Sequence, residues 1–141
     1  MEELLELRGY VERQQYPEAL NLIEEMEEMS REDKINKIYS FVRILLIHLI
    51  KQQAEERTTR SWDLSIRNAV EQIGRVNKRR KAGGTYLTKD GIQEIIKEAY
   101  PSALAYAAIE TFEGVYKESE LGQMIEQSAI EQKALNLILT G

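Results

Sequence analysis

The chain has no cysteine, one histidine, two prolines and one tryptophan in 141 residues. Without cysteine there is no disulfide, no thiolate nucleophile and none of the commonest structural zinc ligands. A single imidazole, His48, excludes a three-histidine metal site and any catalytic relay that needs two histidines. Long apolar runs are missing as well. The longest, Ile44 to Ile50, is interrupted by His48 and falls far short of the ~20 residues that cross a bilayer. The chain opens Met1-Glu2-Glu3, without the basic segment and small-residue cleavage site of a secretory signal. The expectation is a cytoplasmic protein with no membrane segment. Alternating Val/Thr/Tyr runs and Asn-Gly turns are absent too, which removes the usual strand signals.

What is present favours helix. Glu, Leu, Ile, Ala, Lys, Arg and Gln dominate, and these are mostly good helix formers. A chain of this length suits one domain and can bury roughly 68–70% of its unfolded surface, so it needs no metal to fold. The reading is an all-α, compact single-domain bundle of five to seven helices over residues 1–141.

The first helix is expected from about Glu2 to Gln14, and a second begins at Pro17, where a missing N–H has no intrahelical partner. Tyr16 to Leu20 resembles part of a tetratricopeptide repeat locally, but no second unit follows and a solenoid needs about three. Ser30 is expected to cap a third helix reaching about Gln53. From Phe41 to Ile50 only Arg43 and His48 interrupt the apolar residues, so this helix is expected to form the centre of the bundle. Thr59 or Ser61 starts the fourth helix, with Trp62, Ile66, Ala69, Val70, Ile73 and Val76 on one face. Lys78 to Lys81 and the Gly83-Gly84 pair end it, and the glycines are expected to form a flexible break. Thr88 caps the fifth helix, which Pro101 should kink or break. Ala103, Ala105, Ala107 and Ala108 would permit close helix packing. Ser119 is expected to cap a short helix, and the apolar tail Ala129–Leu139 must dock somewhere or fray.

The net charge is −5, unevenly spread. Residues 1–33 carry net −8, residues 34–89 net +9 and residues 90–141 net −6. A basic middle between acidic ends can mark a partner or nucleic-acid surface, or can be neutralised when the helices pack.

Several blocks together resemble the signature of a known family. They are Asn21 to Glu27, Arg43 to Lys51, Arg60-Ser61-Trp62 with Ile66-Arg67, Glu98-Ala99-Tyr100 and Glu110-Thr111. Their order and spacing resemble a bacterial family catalogued as domain of unknown function twenty-nine, over about residues 5–126. The resemblance implies an all-helical fold and no established activity. Gln52 stands where the family has an aromatic, and Ala19-Leu20 where it has two bulky residues. Residues 127–141 look like an extension.

Five residues separate Arg43 from His48, which also fits the Arg-x4-His pattern of the HEPN ribonucleases, themselves helical bundles. That resemblance implies a histidine activating the ribose 2′-hydroxyl and an arginine holding the phosphate. On a regular helix such a gap turns the two side chains about 140° apart, and a buried or half-buried histidine hydrogen-bonded to a neighbour, with Arg43 paired to an acidic residue, is the structural reading of the same pair. Trp62 lies between Arg60 and Arg67, so it could stack a base, or anchor a core. Arg75, Lys78, Arg79, Arg80 and Lys81 are the nucleic-acid candidates, or a solvated helix end favoured by the dipole. The acidic run Glu24 to Glu28 lacks the Glu-x-x-His pairs of di-iron bundles, and the glycines lack phosphate-loop spacing. Neither a metal nor a cofactor is expected. With no catalytic constellation, the leading expectation is a non-enzymatic interaction module that binds a protein partner or itself. A ribonuclease using Arg43 and His48, and weak nucleic-acid binding through 75–81, are the alternatives.

Overall fold

A computed structural model describes residues 2–79 and 83–141. Among the described residues every regular element is helical: α1 Glu2–Glu12, α2 Tyr16–Glu55, α3 Arg60–Asn77, α4 Lys89–Glu110, α5 Glu118–Gln123 and α6 Gln127–Thr140, with a 3-10 turn at Thr111–Gly114. The fold is all-α, with six α-helices among the described residues. The chain divides into two compact units, Met1–Lys34 and Ile35–Gly141.

Ser30 caps nothing. The expected second and third helices are one continuous α2 of 40 residues. The segment Met26 to Lys34 contains neither proline nor glycine, and one serine inside a run of good helix formers costs only a few tenths of a kcal/mol. That penalty is too small to end a helix whose flanking turns all favour continuing.

In the unit Met1–Lys34, α1 buries no side chain. Ala19 and Leu22 of α2 are its buried residues, while Leu4, Leu5, Val11, Tyr16, Leu20, Ile23 and Met29 are exposed. Tyr16, Leu20 and Ile23 repeat at helical spacing, so they form an apolar stripe open to water.

The unit Ile35–Gly141 is built on the expected rod. Ile38, Val42, Leu45, Leu46, Leu49 and Ile50 of α2 are buried, as two adjacent stripes at spacings of three and four. They share one core with Ala69 and Ile73 of α3, the buried face of α4 and Ile130, Ala134 and Leu135 of α6. The rod is not enclosed all round. Ile44 is 37% exposed and His48 is half-buried, so a strip of α2 faces water.

Thr59 starts α3, its hydroxyl accepting from the Trp62 N–H at 3.0 Å. Thr88 does the same for α4 through the Gly91 N–H at 3.4 Å. Pro101 does not break α4, which runs unbroken to Glu110. Proline deprives the Lys97 carbonyl of its intrahelical donor, but Pro101 and Lys97 are both exposed, so water can replace that bond. Ala103, Ala107 and Ala108 are buried along α4, where α5, α6 and the 3-10 turn pack. Ser119 is not the cap of α5. Lys117 takes that position, and its N–H donates to Glu120 Oε1 at 3.1 Å.

The apolar tail docks on its own unit. α6 packs on α4 and α3, so the segment read as an extension supplies part of the core.

Candidate functional site

Arg43 and His48 do different things. The Arg43 guanidinium lies 5.2 Å from the centroid of the Tyr106 ring on α4, a cation–π distance. His48 turns back along its own helix, with Nδ1 2.8 Å from the Ile44 carbonyl oxygen. A carbonyl only accepts, so Nδ1 carries the hydrogen, and a neutral imidazole keeps its lone pair at Nε2. Arg43 is therefore held by an aromatic face rather than by an acid, and His48 is hydrogen-bonded but not sealed from water.

Trp62 is half-buried at the corner between α2 and α3. The two guanidinium groups expected beside it, Arg60 and Arg67, are exposed on α3. The cations that contact its ring come from elsewhere: Lys51 Nζ at 4.8 Å and Arg57 Cζ at 4.7 Å. Lys51 is 9% exposed and also donates to Glu110 Oε2 at 3.1 Å. Arg57 pairs with Glu55 at 2.8 Å, whose other carboxylate oxygen accepts from the Phe112 N–H at 3.3 Å. Gln52 donates to Thr58 at 2.7 Å and to Asp63 at 3.2 Å. The corner is thus tied by the side chains of Lys51, Gln52, Glu55, Arg57, Thr58 and Asp63. Three of the blocks quoted above meet here, through Lys51, Trp62 and Glu110.

This network predicts a measurable coupling. Lys51→Met keeps the aliphatic stem and removes the charge, and should lower stability by about 1 kcal/mol, because Glu110 is half-exposed and its ion pair alone is weak. In a double-mutant cycle with Trp62→Leu, chemical denaturation should show the two losses failing to add. Strict additivity would mean that ring and ammonium ignore each other.

The described part of the basic segment is hydrogen-bonded to the chain that follows it. Arg75, Lys78 and Arg79 are exposed; Arg80 and Lys81 lie outside the described residues. Lys78 and Thr85 form an antiparallel bridge, the Arg79 N–H donates to the Gly84 carbonyl at 3.0 Å and the Tyr86 N–H to the Asn77 carbonyl at 2.9 Å. The Asn77 side chain bonds both the N–H and the carbonyl of Leu87, at 2.8 and 3.2 Å. Gly83 and Gly84 have φ of +74° and +69°, a region that side chains with a Cβ disfavour. Gly84 is also the acceptor of the Arg79 N–H, so the pair expected as a break carries a hydrogen bond to the end of the preceding segment. Arg79 lies 5.9 Å from the centroid of Tyr86, an aromatic partner that the sequence pattern did not single out.

No group of three metal-ligating side chains occurs among the described residues, and Glu24, Glu25, Glu27 and Glu28 are exposed. No described helix is long and apolar enough to cross a membrane. One titratable group is strongly perturbed: burial, with a smaller contribution from Glu131, pushes the Tyr100 hydroxyl up to about 12. A raised folded-state value means that the unfolded chain loses this proton first, so stability is complete below pH 10 and falls as pH rises toward 12. The loss should be on the order of 2 kcal/mol and should vanish in Tyr100→Phe, as followed by urea unfolding at stepped pH. An unchanged alkaline slope in that variant would place its origin elsewhere.

The site's geometry defines a class before it defines a function: a helical module whose polar residues tie helices together at a corner and bond the end of α3 to the residues that lead into α4. Residues 13–128 match the family described as domain of unknown function DUF29, and the chain belongs to that family. No curated protein and no solved structure matches it.

Proposed function

We propose that the chain is a helical interaction module whose docking face is the acidic unit Met1–Lys34. The observation that carries this reading is the apolar exposure of that unit. α1 buries nothing, and Leu5 and Leu20 are 69% and 61% exposed in helices where such residues ordinarily face a partner. Eleven acids against three bases over residues 1–33 surround those side chains with negative charge. A partner of matching chemistry presents an apolar surface rimmed by lysine and arginine, which such a field attracts and orients.

The ribonuclease reading draws no support from the arrangement of Arg43 and His48. Its guanidinium rests on Tyr106, and the five-residue gap on one helix turns the two side chains apart.

A photo-crosslinking amino acid at Leu5 or Leu20, in the full chain in living cells, tests the docking face. Discrete adducts are expected from both positions and not from Lys133 on α6, and Leu5→Glu should abolish the adduct formed from position 20. The adduct's mass separates a second copy from a different protein. Absence of adducts at both positions, or equal labelling from Lys133, would overturn the reading.

A further inference from the structure

We infer that the end of α4 and the turn after it form a second docking surface, which takes a basic, amphipathic segment of a partner protein. Tyr106 and Ile109 lie one turn apart on α4. Both are exposed, Ile109 at 72%. The chain then turns back on itself. Gly114 comes so close to α4 that a Cβ there would stand 3.2 Å from the Ile109 carbonyl oxygen. Val115, next in sequence, is 71% exposed, and Tyr116 is exposed as well. The Phe112 ring meets the Tyr116 ring edge-on, with 5.4 Å between centroids. The unit Ile35–Gly141 thus shows water an apolar patch of Tyr106, Ile109, Val115 and Tyr116.

Folding alone does not account for this patch. Phe112 and Glu113 have φ of +48° and +57°, and Gly114 follows at +75°. Two successive residues with a Cβ in the left-handed region are costly, and such backbone persists only where its surroundings hold it. Here Glu55 holds the turn, its carboxylate accepting from the Phe112 N–H. Burial of apolar side chains would offset the strain. This turn instead sets Val115 and Tyr116 near Ile109 and leaves them in water, an arrangement that gains when a partner covers it.

Charge selects the partner. Lys51 offsets Glu110 and Arg43 rests on Tyr106, so the negative side of the patch is the one around Val115 and Tyr116. Glu113, Glu118 and Glu120 flank those residues, with Lys117 the one cation among them. A segment that sets apolar side chains among lysines and arginines matches both features. A second copy of the same patch would bring like charges together, and the phosphates of an anionic bilayer would be repelled in the same way.

The test is a titration of the isotope-labelled full chain with a synthetic peptide of leucine and lysine, its leucines at helical spacing, followed by amide NMR shifts. The amides of Ile109, Gly114, Val115 and Tyr116 should move together along one saturating curve. Replacing the peptide's lysines by glutamate should weaken that binding at least about tenfold. Ile109→Ser, which keeps every charge, should weaken it about fivefold or more. Glu113→Lys should weaken it about threefold. Leu139→Ser, which shortens an exposed apolar side chain on α6, should leave it within about twofold. All three substituted residues are exposed, and melting curves separate loss of binding from loss of fold. Amides that stay still at millimolar peptide, equal affinity for the glutamate peptide, or no weakening by Ile109→Ser would overturn the inference. Movement of the same amides on concentrating the chain alone would assign the patch to a second copy, and movement on adding phosphatidylglycerol vesicles would assign it to a membrane. Either result overturns it too. The shifts are read at residues 106–116 only, so peptide that also touches the unit Met1–Lys34 does not enter them. The crosslinking at Leu5 and Leu20 reads a different surface, so either result can fail without the other.

Discussion

Leu46→Ala is expected to lower the stability of the unit Ile35–Gly141 by about 3–5 kcal/mol, the range for emptying a fully buried leucine site. Leu46 has no exposed surface and lies between Val42 and Ile50, which are equally buried. α2, α3, α4 and α6 all contribute to the same core. A void there has partners on every side, and collapse into it would require moving several helices at once. Since whole domains are stable by only about 5–15 kcal/mol, this single truncation should consume a third or more of the total. Urea unfolding would measure it. Ile44→Ala provides the contrast: at 37% exposure it should cost about 1 kcal/mol or less. Equal losses at the two positions would mean that residues 35–50 are not the rod of this fold.

Ending the chain at Glu126 is expected to be more damaging still. It removes the 14 residues of α6 and with them the buried side chains of Ile130, Ala134 and Leu135. Two large aliphatic residues withdrawn from water are worth on the order of 5 kcal/mol together. The faces of α4 and α3 on which α6 packs would also be uncovered. The truncated protein should lose its cooperative thermal transition and expose apolar surface to a reporter dye. Leu139→Lys, at a half-exposed position near the end of α6, should retain both. A cooperative transition surviving the truncation would return residues 127–141 to the status of an appendage. The family match ends at residue 128, so this helix shows that a segment outside most of the matched residues can still be structural.

Much of the fold was legible because helices announce themselves locally. Ile38 to Ile50 repeat at spacings that place them on one side of a helix, and Thr59 and Thr88 stand where a free backbone N–H needs an acceptor. Each of these signals acts within one or two turns, so the linear order of residues contains it. Two local signals for a helix end did not end one. Ser30 is chemically a good cap, but capping requires a chain that leaves the helix, and nothing around it favours leaving. Pro101 breaks an intrahelical bond, yet its exposed position lets water replace the acceptor's partner.

The candidate sites were legible in part. The cations at 75–81 stand together in sequence, whereas Tyr86, the aromatic that meets Arg79, becomes its neighbour only in the folded chain. Trp62 drew notice, but its ring partners did not. Lys51 lies eleven residues before it and Glu110 forty-eight after, separations at which no periodicity connects residues. A lysine closing an apolar run was the one available hint.

The sequence by itself determined that this chain is helical, which face of each helix is apolar, where charge of each sign accumulates and which family it joins. These follow from propensity, periodicity and composition, all set by residues within a few turns of one another. Tertiary structure alone decided which polar groups meet. It placed Lys51 between Trp62 and Glu110, set Arg43 on Tyr106 and Arg79 over Tyr86, and sank the last helix into the core. Such pairings depend on how helices cross, and crossing is settled by the packing of whole faces rather than by any one residue's neighbours in the chain.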